Sequence, residues 1–482
     1  MRVSAEVKEM EGVEQAFAFM ATEINKKTRM QAKLMSDEAK EAGADDLVLL
    51  VKSENEALAQ AALDAFEEKI SASVSAKNST ESGKAAPVTF EEGYSELPAN
   101  LAIISVPGPY AALQTMNALR LGMNVQLFSD NVTIEEEVAM KDFAREKGLL
   151  VMGPDCGTSI ISGVPLCFAN KVRSGNVGVV GASGTGLQEF TVLLDAAGCG
   201  ITHAIGTGGR DLSEAVAGRT SLAALELLAD DANTDVIAVI SKPPARSAEE
   251  KIIAAVRKIG KPAVLAFLGQ KSEMLAPNLF VAGTIEEAAA KTAALCKAQN
   301  PEKAVVLYER ELMNTALLDE IKKLGGKQKR VVGLYTGGTL ASEAKFILKD
   351  YDHTVIDLGD DEYTRGSLHP MIDPSNRKDH ILSAFSDPCT AVLLCDVVIG
   401  FGSHKDPAGV LAQDVADARE KTGADVIMIA SVTGTNADPQ NRSVQVKKLE
   451  NAGIWVFPTN QYAAETAAQI AKLLKEGDGN GQ

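Results

Sequence analysis

The chain has few aromatic residues, few cysteines and a deficit of positive charge, and each shortage argues against a class of protein. Aromatic residues make up 5% of the 482 residues. The cores must therefore depend on Val, Ile, Leu and Ala, which favours parallel sheets covered by helices over an all-β sandwich. The six cysteines are scattered, without CxxC or zinc-ligand spacing. This pattern predicts reduced thiols rather than a disulfide framework.

Charge and hydropathy argue against two further classes. The 48 basic and 65 acidic residues give a net charge of −17, which argues against a nucleic-acid partner. No apolar run approaches the length of a membrane span. The first ten residues lack the charged-then-apolar pattern of a signal sequence. We therefore expect a cytoplasmic protein without a nucleic-acid or membrane partner.

Strand and helix patterns alternate along most of the chain. Short apolar strands followed by amphipathic helices predict βαβ units and parallel sheets. The segments that begin at Asn176 and Val331 each open with a strand, a Gly/Ser/Thr loop and a helix, which indicates an internal repeat. The predicted fold class is α/β, with several parallel-sheet domains of Rossmann-like and flavodoxin-like type and a small N-terminal α/β module.

The same patterns divide the chain into five segments. Before residue 71 an apolar strand and a helix are predicted, and the small polar residues from Ser71 to Glu92 have no periodicity, which predicts a flexible linker. The segments are an N-terminal module (1–75), the linker (76–97), an incomplete Rossmann-like domain (98–170) and two repeated domains (171–298 and 331–478).

The best-defined site signal is the sequence GVVGASGTG, residues 178–186, at the end of a predicted strand and the start of a helix. Bare glycines let backbone N–H groups approach an anion, and a helix N-terminus favours negative charge. The Lys-Ser/Thr ending of nucleotide-hydrolase phosphate loops is absent. The alternative is a tight strand-to-helix turn in which Ser183 caps the helix.

A second loop of the same kind strengthens the interpretation as an anion site. Residues 333–339, GLYTGGT, again follow a strand and open a helix. Two copies in two repeated domains predict two helix N-termini directed at one shared anion. We call this predicted site, formed by the loops at residues 178–186 and 333–339, the anion cradle.

These motifs carry a resemblance to a known superfamily. Residues 99–295 resemble the α subunit of succinyl-CoA synthetase, through VPGPY (106–110), GPDC (153–156), GVVGASGT (178–185) and GTGGRD (206–211). Residues 331–478 look like a further ligase domain of that superfamily. The fused order, with GLLVMGPDCGT (148–158) and HPMIDP (369–374), is similar to the FdrA family. The resemblance implies a CoA-binding-like domain at 98–170 and ligase-type domains at 171–298 and 331–478.

The resemblance also implies a role for the anion cradle. In the synthetases two helices direct their N-termini at a phosphohistidine. The resemblance implies that one such N-terminus of the anion cradle is formed by Ser183, Gly184, Thr185 and Gly186, and the other by Gly337, Gly338 and Thr339. Other parts of the synthetases are missing here. Residues 277–287 contain no histidine, the segment 241–244 contains no glutamate, and residues 1–95 contain no CoA loop. A nucleotide-grasp domain is not evident either, so CoA is doubtful as a cofactor and phosphate or carbamoyl phosphate is the expected ligand.

The function that the FdrA resemblance implies is carbamoyl transfer through phosphate, as one component of an oxamate carbamoyltransferase in allantoin catabolism. Oxalurate and phosphate would give oxamate and carbamoyl phosphate. The expected partners are a small phosphorylated or carboxylate substrate and other subunits, further copies of the chain, or both. Two alternatives stay open: an NDP-forming acyl-CoA synthetase, and a non-catalytic subunit that binds an anion.

Candidate catalytic side chains follow strands that end near the predicted sites. Arg210 and Asp211 follow a Gly-rich loop, where Arg210 could hold phosphate or a carboxylate; the alternative is a surface arginine paired with Asp211. Lys242 follows another strand, and His404, in a Gly-rich loop, is a candidate proton carrier or a solvated loop histidine. An acidic patch could hold Mg²⁺ or be a solvated loop, and we assign no metal to it; its residues are Asp357, Asp360, Asp361, Glu362, His369 and Asp373.

Overall fold

The computed structural model describes residues 2–8, 10–22, 25–26, 30, 35–43, 46–77, 87–311, 313–364 and 368–477. They form two units, residues 1–88 with 364–368 and residues 89–363 with 369–482. In the described parts of the chain, no helix combines the length and the apolar character that crossing a bilayer requires.

The first unit is a small α/β module. Its elements in chain order are α1 (Arg2–Lys8), β1 (Val13–Met20), α2 (Asp37–Glu41), β2 (Leu47–Ser53) and α3 (Glu56–Lys77). Strands β1 and β2 pair in antiparallel fashion. A small core forms where apolar side chains of α1, β1 and α3 are buried together, among them Val7, Ala16 and Phe66.

The predicted linker is in part helical. Helix α3 continues to Lys77, although the polar pattern predicted that order ends at Ser71. The predicted linker also contains α4 (Phe90–Glu96), which begins with a capping box between Thr89 and Glu92. The prediction of an irregular linker was wrong at these two helices. Small polar residues still permit a helix, and the capping signal at Thr89 was missed. Residues 78–86 of the linker lie outside the described residues.

The second unit contains the remaining elements, apart from Thr364 at the end of α13. In chain order they are β3 (Leu101–Ile104), α5 (Gly108–Arg120), β4 (Asn124–Leu127), α6 (Ile134–Glu146), β5 (Val151–Met152), β6 (Thr158–Ile161), β7 (Val164–Cys167), β8 (Ser174–Ala182), α7 (Gly184–Ala196), β9 (Ile201–Gly206), α8 (Arg219–Asp230), β10 (Val236–Ser241), α9 (Arg246–Ile259), β11 (Ala263–Phe267), β12 (Glu273–Ala276), β13 (Leu279–Ala282), α10 (Ile285–Cys296), α11 (Thr315–Lys323), β14 (Arg330–Tyr335), α12 (Gly338–Leu348), β15 (His353–Asp357), α13 (Asp361–Thr364), a 3₁₀ turn (Pro374–Arg377), α14 (Lys378–Ser386), β16 (Thr390–Val398), α15 (Pro407–Thr422), β17 (Ile427–Thr433), α16 (Arg442–Asn451), β18 (Trp455–Phe457) and α17 (Asn460–Gly477).

Strands β3, β4 and β5 form a three-stranded parallel sheet. The hairpin of β6 and β7 differs from the sequence prediction, which placed it in the same domain, 98–170. Strand β6 pairs instead with β9, so the hairpin extends the next sheet. The period-2 pattern of these strands does not encode which sheet they join, since that depends on pairing partners distant in sequence.

The internal repeat is visible in the strand order of the two larger sheets. The eight-stranded sheet has the order β12-β13-β11-β10-β8-β9-β6-β7, and the five-stranded sheet has the order β15-β14-β16-β17-β18. Five parallel strands of the first sheet, β9-β8-β10-β11-β13, therefore match the second strand for strand. In both, the strand that comes first in sequence lies between the second and the third. This is the flavodoxin-like order, which confirms the predicted α/β fold class.

Helices α7, α10, α12 and α17 form a core that both sheets share. Buried Leu, Ala and Ile side chains from these helices pack with apolar residues of β8, β10, β14, β16 and β17. Helices α8 and α9 cover the other face of the first sheet, and α14 and α15 cover the other face of the second. This packing places the loop after β8 and the loop after β14 at the carboxyl ends of the two sheets, where open α/β sheets bind ligands.

Candidate functional site: two converging helix N-termini

The two Gly-rich loops of the predicted anion cradle meet in the structure. Ser183 precedes α7 and its Oγ accepts a hydrogen bond from the Gly186 amide at 3.0 Å. The same Oγ lies 2.6 Å from Thr339 Oγ1 in the first turn of α12. A methyl group on Gly337 would lie 2.8 Å from Thr185 Cγ2, so glycine is required there for the helices to approach. The repeat thus brings both parts of the anion cradle together.

Some of the predicted donors already have partners within the protein. The Gly186 amide is bonded to Ser183 Oγ, and the Gly337 amide donates to Asp396 Oδ2 at 2.8 Å. A helix leaves its first amides without intrahelical acceptors, and α12 has no side-chain cap. Among the described residues, no acceptor is bonded to the amides that remain for a ligand, those of Gly184, Thr185, Gly338 and Thr339.

A buried aspartate fixes the loop that precedes α12. Asp396 on β16 is fully buried and accepts hydrogen bonds from the Thr336 amide at 2.7 Å and from the Gly337 amide. The Arg377 guanidinium, 4% exposed, donates to Asp396 Oδ1 at 2.9 Å. Arg377 balances the charge of Asp396, while both carboxylate oxygens of Asp396 accept from the loop backbone and orient it. Sequence reasoning missed Asp396, because it lies inside an otherwise apolar strand and its loop partner is 60 residues away.

Lys242 and Asp357 border the exposed side of the anion cradle. A methyl group on Gly338 would collide with Asp357 Oδ2 and would lie 3.2 Å from Lys242 Nζ. Burial raises the pKa of Asp357, against the opposing effects of the Gly359 amide and the Lys242 charge. A cation and a carboxyl group that holds its proton more readily than usual therefore stand next to the first turn of α12. The sequence predicted Lys242 as a strand-end candidate.

His369 stands beside the same carboxyl group. A methyl group on Gly359 would lie 2.8 Å from His369 Nε2 and 3.2 Å from Asp357 Oδ1. His369 Nδ1 accepts a hydrogen bond from the Met371 amide at 3.2 Å. Burial lowers the pKa of His369 to about 4, so the ring is neutral at pH 7. A neutral imidazole that accepts at Nδ1 carries its proton at Nε2, which makes His369 a hydrogen-bond donor in this region.

Arg210 and Asp211 are placed differently from the sequence prediction. Arg210 forms an ion pair with Glu137 at 2.9 Å instead of pairing with Asp211. Asp211 is fully buried; it forms an ion pair with Lys141 Nζ at 2.7 Å and accepts bonds from the Ser221 amide and hydroxyl. Its acceptor capacity is used within the fold, so we interpret Asp211 as a structural residue that holds the start of α8.

His404 lies in a well-bonded loop. Its Nδ1 accepts from the Asp406 amide at 3.0 Å, and its backbone bonds to Met371 and Gln440. None of these partners belongs to the anion cradle. Its role as a proton carrier stays a prediction.

The acidic patch does not gather into a metal site. No group of three or more His, Cys, Asp or Glu side chains in the described ranges is arranged to hold a metal ion. Asp360 Oδ1 accepts from the Glu362 amide and Asp373 Oδ1 from the Ser375 amide, which are turn and capping contacts. Asp357 and His369 are the members of the predicted patch whose described side chains lie near the anion cradle.

Three family models match the chain. One, described as CoA-ligase, matches residues 334–470; another, described as CoA binding domain, matches residues 172–269. A third, described as AllF, heavy metal-associated domain, matches residues 1–87. Residues 1–87 contain no cysteine and no histidine. The thiolate and imidazole ligands that soft metals prefer are therefore absent from that segment, and we assign no metal to it.

The chain is similar to one known protein over nearly its whole length and to others at lower identity. The uncharacterized protein YahF of Escherichia coli (strain K12) is 38% identical over 94% of this chain and 92% of its own length. The α subunit of ADP-forming succinate–CoA ligase from Methanothermobacter thermautotrophicus is 26% identical over 48% of this chain and 78% of its own length. A solved structure, the dinucleotide-forming acetyl-coenzyme A synthetase 1 of Ca. Korarchaeum cryptofilum, aligns with a TM-score of 0.34 at 16% identity, over 80% of this chain and 86% of that chain.

Two flavodoxin-like domains, repeated in one chain and joined at paired helix N-termini, define a protein of the CoA-ligase type. The family models match both copies. The identity with YahF extends over nearly the whole length of both chains, so it defines the family as well as the class. The chain belongs to the FdrA-like family of the succinyl-CoA synthetase superfamily.

Proposed function

We propose that this chain is a subunit of a phosphate-dependent carbamoyltransferase that converts oxalurate and phosphate into oxamate and carbamoyl phosphate. The observation that carries the proposal is the convergence of two helix N-termini, whose hydroxyl groups Ser183 Oγ and Thr339 Oγ1 lie 2.6 Å apart. The FdrA-like family membership supports it, and so does the absence of histidine from residues 277–287, where the synthetases carry their phosphohistidine.

Phosphate binding is the first requirement. One helix N-terminus stabilises an anion by about 0.3–1 kcal/mol, and by up to about 2 kcal/mol in a partly buried site. Two such termini reinforce each other when they are directed at one point. The amides of Gly184, Thr185, Gly338 and Thr339 would supply the hydrogen bonds. Lys242 would supply the positive charge that offsets the nearby Asp357 carboxyl group.

The reaction then needs one bond formed, one bond broken and one proton moved. A phosphate oxygen attacks the terminal carbamoyl carbon of oxalurate, and the bond between that carbon and the oxamate nitrogen breaks. The proton lost by hydrogen phosphate equals the proton that the leaving nitrogen gains, so no other reactant is needed. We assign the relay of this proton to Asp357, since its pKa is raised by burial and its carboxyl group lies next to Gly338, whose amide would hold the phosphate.

Charge that develops on the carbamoyl oxygen also needs a donor. His369 is neutral at pH 7 and carries its proton at Nε2, the atom that faces Gly359 and Asp357. A fixed donor at such a position stabilises a tetrahedral oxyanion. We assign His369 this role. A histidine of this kind would not need to change its charge during the reaction.

A second candidate function is supported by the family models. Residues 172–269 match a CoA binding domain and residues 334–470 match a CoA-ligase. An NDP-forming acyl-CoA synthetase would use the same anion cradle for a phosphorylated intermediate, but it would require CoA and a nucleotide as ligands.

Ligand-dependent thermal stability of the full chain tests the proposal. Phosphate, carbamoyl phosphate, CoA and ATP are added separately, and a ligand present at about 100 times its Kd stabilises by about 2.7 kcal/mol. We expect shifts with phosphate and carbamoyl phosphate. Gly338→Ala should abolish them, because the added methyl group collides with Asp357 Oδ2. Gly93→Ala is the matched control, since a methyl group there would meet no atom within 4 Å.

The alternatives give different results. A shift with CoA or ATP alone would overturn carbamoyl transfer and support the acyl-CoA synthetase. Turnover is measured as carbamoyl phosphate formed from oxalurate and phosphate by the full chain together with the subunits that co-purify with it. Phosphate-dependent stabilisation without turnover in that assembly would leave an anion-binding subunit as the function.

A further inference from the structure

A cavity separate from the anion cradle opens at the carboxyl end of β17. It has a volume of about 610 Å³ and lies between the later turns of α7 and the loop at residues 434–442. At 1.5 Å per residue, Val192, which lines the cavity, is about 12 Å along α7 from Gly184. The carboxyl ends of parallel strands are where open α/β sheets bind ligands, yet no step of the proposed reaction uses this cavity.

The wall of the cavity carries donors that lack acidic partners. Arg442 is held by two backbone carbonyls, with Nε donating to Val432 at 3.0 Å and Nη2 donating to Pro458 at 3.4 Å. Within the described part of the chain, no carboxylate lies at ion-pair distance from Arg442 or from Lys171. A guanidinium group that the main chain holds in place, with its charge unpaired, is suited to a carboxylate or phosphate ligand.

The side-chain amide of Asn436 is a third donor in the cavity wall. Asn436 Oδ1 accepts from the Ser443 amide at 2.9 Å and from the Ser443 hydroxyl at 2.8 Å. Because the oxygen of this side chain is occupied, its Nδ2 group is the part left for a ligand. Asn436 lines the cavity together with Lys171 and Arg442.

The loop that carries these donors is preorganised. Asp438 accepts from the Thr435 amide at 2.7 Å and from the Lys171 amide at 2.7 Å. It therefore ties the segment that precedes β8 to the loop after β17. This tie brings Lys171 to the cavity before any ligand arrives, which lowers the entropic cost of binding.

The carboxyl groups in the wall are already engaged. Asp195 Oδ1 accepts from the Arg173 amide and from Arg173 Nε, both at 2.9 Å. Glu189 accepts from the Thr433 hydroxyl and the Asn460 amide. Burial raises the pKa of Glu189, against the opposing effects of these two hydrogen bonds and of the Arg442 charge. Both carboxyl groups of the wall thus have partners within the protein, whereas Lys171 and Arg442 have no carboxylate partner among the described residues.

We propose that this cavity is a second anion site, which binds a small carboxylate or phosphate ligand between Lys171, Asn436 and Arg442. It does not depend on carbamoyl transfer, because none of these residues belongs to the anion cradle. The site serves either a second substrate or an effector of carboxylate or phosphate type.

Isothermal titration of the full chain with oxalate and with inorganic phosphate tests this site. Lys171→Gln removes one charge-assisted contact, worth about 1.5–3 kcal/mol, so the affinity at this site should fall about tenfold or more. Lys171 is exposed, so folding should not change. Lys251→Gln is the matched control, because it removes the same charge from an exposed position outside the cavity. Gly338→Ala separates this site from the anion cradle.

Each outcome decides the proposal. Binding of either ligand that persists in Gly338→Ala and weakens in Lys171→Gln, but not in Lys251→Gln, supports it, and the ligand that responds identifies the carboxylate or phosphate preference. Binding that Gly338→Ala abolishes entirely would assign all anion binding to the anion cradle and overturn the second site. Equal effects of the two lysine substitutions, or no binding of either ligand, would overturn it as well.

Discussion

Replacing Glu343 by glutamine should change how the stability of the protein depends on pH. Glu343 on α12 is 2% exposed and forms hydrogen bonds with the Ile285 amide at 2.9 Å and with Asn460 Nδ2 at 2.8 Å. Burial raises the pKa of Glu343 from 4.5 to about 7. The folded protein therefore holds this proton at pH values where the unfolded chain has released it.

The sign and the magnitude follow from linkage. Between pH 4.5 and about 7 the folded state binds more protons at Glu343 than the unfolded state does, so the free energy of unfolding falls as the pH rises. A difference of about 2.5 in pKa, at 1.36 kcal/mol for each pKa unit, corresponds to about 3 kcal/mol. This cost is absent below pH 4.5 and fully present above about pH 7.

Urea unfolding of the wild type and of Glu343→Gln between pH 4.5 and 8 measures the effect. The glutamine variant lacks the titration, so it should gain up to about 3 kcal/mol relative to the wild type as the pH rises across that window. Rearranged hydrogen bonds at Asn460 add an offset that does not depend on pH, so the comparison rests on the slopes. Glu420→Gln, at an exposed position of α15, is the control. Parallel curves for the wild type and Glu343→Gln would refute the reasoning.

Three further predictions concern the anion cradle and its surroundings. Lys242→Met should weaken phosphate binding about tenfold in a titration, since a charge-assisted contact is lost. The melting temperature without ligand should stay the same, because Lys242 is exposed. Unchanged phosphate affinity would contradict the role of Lys242. Asp396→Asn should lower the free energy of unfolding by about 3–5 kcal/mol in urea, because it leaves the buried Arg377 charge unpaired; a loss below 1 kcal/mol would argue against that ion pair. His404→Gln should leave the phosphate affinity unchanged, because Asp406, Met371 and Gln440, the hydrogen-bond partners of His404, do not belong to the anion cradle; a tenfold loss would restore it as a site residue.

Most of the fold could be predicted from the sequence because it depends on local patterns of strands, helices and turns. Alternating strands and helices predicted parallel sheets, and the two Gly-rich loops predicted the repeat that the matching strand orders display. Both loops do open helices, at Gly184 and Gly338. What local patterns could not give is pairing over long distances. The β6–β7 hairpin joined a different sheet, and the predicted linker turned out to be helical as far as Lys77.

The candidate site was predictable only where a residue lies in a local motif. The residues of the two loops and Lys242 follow strands directly, so their position at a sheet edge was foreseeable. Asp211 looked similar, but its ion pair with Lys141 spans 70 residues, and no local signal distinguishes a buried structural carboxylate from a catalytic one. Asp396 stood unnoticed among apolar residues for the same reason. Interactions between distant segments decide these roles.

The hydroxyl contact between Ser183 and Thr339 joins residues that are 156 positions apart in one polypeptide. A site divided between two separate chains would come apart on dilution. Here the two halves meet in an intramolecular event, whose effective concentration is set by the connecting chain and not by the amount of protein in solution. Covalent fusion of the repeats therefore keeps the two halves at a ratio of one to one. A protease cut between the repeats would make assembly of the anion cradle depend on protein concentration.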